Sequence, residues 1–142
     1  MVVDNKAIVR AMESALNRRD WTAYAASFAD VIRWGRFPAQ RDVSRSDYVA
    51  TIQGIVQTFP DWRVEIERLI AEHDWVAERT KVFGTHLARA QSSHHGDLRG
   101  FEPTGKSVAV WQAHFWRVAD GVIVEHEAVR DDLGLFRQLG VQ

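Results

Sequence analysis

Residues 111–140 read WQAHFWRVADGVIVEHEAVRDDLGLFRQLG. Apolar and polar residues alternate on either side of an Ala-Asp-Gly at 119–121. The pattern predicts two antiparallel strands, 107–118 and 122–130, joined by a tight turn. Two registers are open. With a loop of only Asp120 and Gly121, Ala119 faces Val122, and His114 shares a face with Glu125 and Glu127. With a three-residue loop, Val118 faces Val122 and His114 stands opposite His126. A one-residue slip exchanges the two faces, so this choice decides what the hairpin presents. We favour the three-residue loop, a type I turn with glycine in the left-handed position. It gathers Val108, Val110, Gln112, His114, Trp116 and Val118 with Val122, Val124, His126, Ala128 and Arg130. That face is largely apolar with a few converging polar groups, the character of a ligand pocket. Trp111, Ala113, Phe115, Arg117, Ile123, Glu125, Glu127 and Val129 fall on the other face, where Arg117 reaches Glu125 diagonally. That second face is either solvated or a subunit interface.

Upstream of the hairpin the period is helical. Asp4 caps a helix running to about Asn17, with Ile8, Ala11, Met12, Ala15 and Leu16 as its stripe and Lys6, Arg10, Glu13 and Asn17 opposite. Asp20 caps a short second helix whose apolar face is Trp21, Tyr24, Ala25 and Phe28. Residues 30–37 read as a short irregular strand and 39–45 as polar loop. Ser46 caps a third helix to about Thr58, with Tyr48, Val49, Ile52, Ile55, Val56 and Phe59 inward, and Pro60 closes it. Trp62, Val64 and Ile66 then alternate with charges, which predicts a strand. Residues 72–74 make a turn into a strand at 75–86, neither face of which is purely apolar. A long polar connection, 88–105, carries SSHH at 92–95. That tract reads as exposed loop, because adjacent histidines point apart and no third ligand is near. Three helices followed by a run of strands is an α+β order with an antiparallel sheet, not the alternation of a parallel α/β fold.

The 142 residues predict one domain, 1–142, with a single core. No cysteine is present, so disulfides and thiolate zinc sites are excluded. A net charge of −1 with interspersed signs leaves no basic face for nucleic acid. No stretch approaches the roughly 20 apolar residues of a membrane span, and the first residues do not resemble a signal peptide. A soluble, cytoplasmic protein without nucleic-acid or membrane partners is expected. Six Trp and seven Phe supply either an aromatic core or a pocket for a flat ligand.

FPDW at 59–62, GTH at 84–86, PTGK at 103–106, FWRVADG at 115–121, EH at 125–126 and DDLGLFRQLG at 131–140 occur in an order and spacing that resemble the SnoaL-like polyketide cyclases. These are the ester cyclase branch of the nuclear transport factor 2-like superfamily. The resemblance covers nearly the whole chain. It implies a cone-shaped, cystatin-like α+β fold, in which three N-terminal helices pack on a curved, mostly antiparallel sheet around a pocket. It also implies a homodimer or homotetramer formed through the sheet. The founding enzymes close a ring of an aromatic polyketide by an intramolecular aldol reaction, without metal or organic cofactor. Their acid/base is an Asp on the last strand, two residues after a His that matches His126; that position here is Ala128. The family's pocket His on the preceding strand matches His114.

The function expected is therefore cyclase-like proton transfer on a small, polyketide-like molecule, with a relocated base. His126 or His114 is the candidate, since an imidazole needs little tuning to work near neutrality. Asp131 would orient it or act itself, or else cap the closing turn. Arg79 would polarise a carbonyl, Trp34 and Trp116 would stack on the substrate, and Gln112 and Arg130 complete the polar lining. Two alternatives are a non-catalytic binding or scaffolding module and a cofactor-independent hydroxylase.

Overall fold

The computed structural model describes residues 4–35, 38–91 and 98–141. The SSHH tract lies outside these. α1 (Asn5–Arg18) is capped by the Asp4 carboxylate, which accepts from the amides of Lys6 and Ala7. Its buried side is Val9, Met12, Glu13, Ala15 and Leu16, rotated from the expected stripe. Glu13, expected at the surface, is 5% exposed, and Ala11 faces solvent. α2 (Trp21–Ala26) is capped by Asp20. Phe28, expected on that helix, instead opens β1 (Phe28–Gly35).

The expected polar loop contains β2 (Arg41–Ser44), an edge strand antiparallel to β1. α3 (Arg45–Thr58) therefore starts two residues early, and its cap is Ser44, whose hydroxyl accepts from the Asp47 amide. β3 (Arg63–Glu72) and β4 (Trp75–Thr85) form a hairpin turning at His73, whose φ is 55°. A 3-10 turn (Leu98–Gly100) interrupts the long connection. β5 (Ser107–Ala119) and β6 (Val122–Arg130) follow. The chain closes on α4 (Asp132–Leu139), a two-turn helix where the sequence suggested only a turn.

The six strands form one sheet in the order β2-β1-β6-β5-β4-β3. All neighbours are antiparallel except β1 and β6, which run parallel. The sheet is curved and unclosed, and α1, α2 and α3 cover its concave side. This is the mixed α+β architecture that the resemblance implies. Between helices and sheet lies the core, built around Met12, Tyr24, Phe28, Tyr48, Phe59 and Trp116.

The β5–β6 register differs from the expected one. Asp120 and Gly121 have φ of 52° and 80°, and Ala119 pairs with Val122, so the turn has two residues. A bulge then inserts Val124, because Val118 pairs with Ile123 but Arg117 pairs with Glu125. The extra residue flips β6 back. Beyond it Trp116 pairs with His126, His114 with Ala128 and Gln112 with Arg130. The expected set on the inner face survives from His126 onward. Before the bulge the faces exchange, and Ile123, expected outside, is fully buried. His114 stands opposite Ala128 and diagonal to His126, not opposite it.

Candidate functional site

Residues paired across a sheet share a face, so the register can be read as inward rows. One row runs Arg41, Trp34, His126, Trp116, Val76 across β2, β1, β6, β5 and β4. The next runs Ala128, His114, Glu78, Leu69, and the third Arg130, Gln112, Thr80, Ile66. Among the described residues the last β1–β6 pairing is Gly35–Glu127. A cavity of about 220 Å³ opens over these rows. Leu16 of α1, Tyr24 of α2, and Tyr48, Ile52 and Ile55 of α3 roof it; Trp34, Trp62 and Trp116 form aromatic walls.

Inside the cavity four side chains form a continuous hydrogen-bonded chain. The Tyr48 hydroxyl lies 2.8 Å from His126 Nδ1, His126 Nε2 lies 2.8 Å from His114 Nδ1, and His114 Nε2 lies 2.9 Å from Gln112 Oε1. The Gln112 carbonyl can only accept, so His114 Nε2 carries the proton. A neutral His114 then accepts at Nδ1 from His126, and His126 accepts at Nδ1 from Tyr48. His126 is 4% exposed and stacks on the Trp116 indole, with centroids 3.8 Å apart and planes 9° apart. His114 is half-buried, and the surface it keeps faces the cavity.

Burial, and then the Arg130 charge, holds His114 far below its ordinary value, at about 3. Burial, and then the charges of His114 and Arg130, lowers His126 as well. Both rings are neutral near pH 7. Burial also pushes up the hydroxyls of Tyr24 and Tyr48, which hydrogen-bond to each other.

Behind the cavity lies a buried carboxyl pair. Glu78, 1% exposed, accepts from the Trp116 indole at 2.8 Å. Burial raises it to about 7, against the lowering effect of its bonds to Trp116 and Glu13. Glu13 is raised well above its usual value, first by burial and then by Glu78. The pair sits one layer behind the histidines and fixes the indole on which His126 stacks.

The expected site residues divide. Trp34, Gln112, His114, Trp116, His126 and Arg130 line the one cavity. Arg79 does not: it lies on the outer, convex face, 3.5 Å from Glu67 and over the Trp111 ring. It is an odd-numbered β4 residue, and the even-numbered ones are inward, so it cannot reach a carbonyl in the cavity. Asp131 is also outside, capping α4 through the Gly134 amide at 2.8 Å. Three contributors lie outside the expected set: Tyr48, expected only in an apolar stripe, Arg41, expected in a loop, and Glu13, expected at the surface. For Glu13 a signal existed: Val9, Met12, Glu13 and Leu16 also satisfy i, i+3, i+4, i+7. Among the described residues no group of three or more His, Cys, Asp or Glu is placed to hold a metal ion.

A family model described as SnoaL-like polyketide cyclase matches residues 6–139. The chain belongs to that family. Among its curated relatives are the aklanonic acid methyl ester cyclases DnrD of Streptomyces peucetius, 35% identical over 66 residues, and AcmA of Streptomyces galilaeus, 29% identical over 94. These matches cover 46% and 66% of this chain but only 40% and 60% of the relatives. Among solved structures, AclR of Streptomyces galilaeus, described as a candidate hydroxylase, is 31% identical with a TM-score of 0.77, covering 96% of this chain and 95% of that one. IdmH of Streptomyces antibioticus, described as a candidate polyketide cyclase, shares the fold at 24% identity and a TM-score of 0.77, covering 98% and 100%.

Proposed function

We propose that this SnoaL-like protein catalyses cofactor-free proton transfer on a flat, polyketide-like molecule, leading to intramolecular aldol ring closure, with His114 as the base. The observation that carries the reading is the 2.8 Å contact between His114 and His126 inside an aromatic cavity. Ala128 stands directly opposite His114, where the resemblance puts the family's Asp. A methyl group there leaves room beside the imidazole.

Substrate displaces Gln112 from His114 Nε2. Water in the cavity carries the proton from that nitrogen to Tyr24, which lines the same cavity and bonds Tyr48. Tyr24 passes its own proton to Tyr48, Tyr48 to His126 Nδ1, and His126 Nε2 to His114 Nδ1. No proton is gained or lost, and a lone pair is left at His114 Nε2. His114 takes a proton from an acidic C–H between carbonyls. The enolate carbon attacks a second carbonyl, a C–C bond forms, and the resulting alkoxide takes the proton back. His126 and Tyr48 act through His114: they share the proton on its far nitrogen and hold the ring. A value of about 3 is low for a general base. In the reaction the imidazolium forms beside an enolate, and that opposite charge offsets the burial that depresses it. Aldol closure conserves mass, so the test is conversion of an uncyclised aromatic β-dicarbonyl compound into an isomer, followed by chromatography and mass spectrometry. Conversion abolished by His114→Phe supports the reading; unchanged conversion contradicts it.

The likeness to AclR favours one alternative, oxygen insertion, which would instead yield a product about 16 mass units heavier and labelled by ¹⁸O₂. Binding without either product would mark a carrier or scaffold. The reading includes a homo-oligomer assembled through the outer sheet face, supported by the exposure of Trp111, Phe115 and Val129 there. Sedimentation of Phe115→Arg as a smaller species than the unsubstituted protein tests it.

A further inference from the structure

The cavity lining is unbalanced in charge. Among its described residues are two guanidinium groups, Arg41 and Arg130, and no carboxylate. The two histidines in the lining add no charge, since burial keeps them neutral. Arg130 heads the row that continues through Gln112, Thr80 and Ile66, and its side chain is 10% exposed. It pairs with Asp132, whose carboxylate lies 3.7 Å from Nε. Arg41 stands across the opening, on the edge strand, paired in register with Trp34. It is exposed, and no ion pair among the described residues involves it. Both arginines line the cavity. A guanidinium beside an apolar cavity favours a planar anion, which it can grip with two parallel hydrogen bonds.

We propose that the cavity is an anion-selective site, in which Arg130 and Arg41 receive a carboxylate carried by an aromatic ligand whose rings lie in the cavity against Trp34. The inference deepens the function proposed above and rests on its reading of the cavity as the substrate site. It also joins binding to chemistry. The Arg130 charge is one of the causes that lower His114 and His126. A bound carboxylate cancels that charge, so the ligand itself returns basicity to the imidazole beside it. The ligand class is then a free aromatic acid, in contrast to the methyl esters for which the curated relatives are named.

The test is calorimetric binding of naphthalene-2-carboxylate and its methyl ester to the full chain at low and high salt. The carboxylate is expected to bind at least tenfold more tightly at low salt. The advantage should shrink as salt rises, and fall at least threefold in Arg41→Gln and in Arg130→Gln. Arg41 is on the exposed rim, so its variant keeps the test valid if Arg130→Gln fails to fold. The C2–H resonance of His114 should titrate at higher pH with the carboxylate bound than with the ester. An ester that binds as well as the acid overturns the anion site and leaves the cavity reading intact. An advantage unchanged in both variants also overturns it. Failure of both probes to bind overturns the anion site and the cavity reading together.

Discussion

The inner and outer faces of β4, β5 and β6 use the same residue types to opposite effect. Outside, Arg63 lies 4.5 Å from the centroid of Phe83, Arg79 lies 4.9 Å from that of Trp111, and Arg117 bonds Glu125 at 2.9 Å. Inside, a residue away along each strand, Arg130, Glu78, Gln112 and the two histidines sit in or behind the cavity. The outer groups are wholly or partly solvated, so their charges are screened and each contact contributes little. The inner groups have lost water, so each must be neutral, paired or hydrogen-bonded. The candidate site lies where that constraint is tightest.

Glu78 gives the largest expected difference between the faces. Glu78→Ala strands the buried Trp116 N–H and leaves Glu13 without its partner, and should cost about 2–4 kcal/mol in chemical denaturation. Glu78→Gln keeps an acceptor for the indole and should cost much less. Equal losses in the two variants would mean that packing alone holds the indole.

The same carboxyl sets a pH dependence. Its folded value, about 7, lies above its ordinary 4.5. The folded state therefore holds a proton that the unfolded state has released, and stability falls as pH rises from 4.5 through 7. The histidines act in the other sense. Their folded values are depressed, so their contribution is complete above pH 6.5 and is lost as pH falls toward about 3. Stability should therefore decline at both ends. Glu78→Gln should reduce the loss above 4.5, leaving the part that belongs to Glu13, which burial also raises, and keeping the acid limb in place. A Glu78→Gln profile with the same alkaline decline as the unsubstituted protein would contradict the assignment.

Tyr48→Phe removes the far end of the hydrogen-bonded chain and leaves His126 Nδ1 buried without a donor. It should destabilise the fold by about 1 kcal/mol and slow proton transfer severalfold, with ligand affinity little changed. The smallest effect belongs to the outer face. Arg79→Gln should change stability by less than about 0.5 kcal/mol and leave ligand binding untouched. A large effect on binding would return Arg79 to the site.

The sequence pattern exposed some of this well. The α+β order, the three N-terminal helices and most strand limits follow from apolar period and caps such as Asp4 and Asp20. The cavity face of the hairpin was recovered from His126 onward for a reason the pattern did not contain. The loop is one residue shorter than expected, and the bulge at Val124 is one residue longer, so the two errors cancel in parity. A bulge depends on the curvature of the whole sheet and leaves no local signature. β2 was hidden because a four-residue edge strand, RDVS, has too few apolar residues to show a period. The inner face of β4 was illegible because Glu78 and Thr80 occupy it, and a polar residue facing inward becomes intelligible only once Trp116 and Glu13 are in place beside it. Tyr48 illustrates the same limit: its ring belongs to the helix stripe, and only tertiary structure brings its hydroxyl to His126.

The central claim is that the enclosed imidazole pair moves protons. Its most direct test is solvent deuterium exchange into a bound β-dicarbonyl probe, followed by proton NMR, in the unsubstituted protein and in His114→Phe and His126→Phe. The account predicts exchange well above the buffer rate, reduced at least tenfold by His114→Phe and by a smaller factor by His126→Phe, with the probe still bound in both. Exchange at the buffer rate in the unsubstituted protein, or at an undiminished rate in His114→Phe, would contradict it.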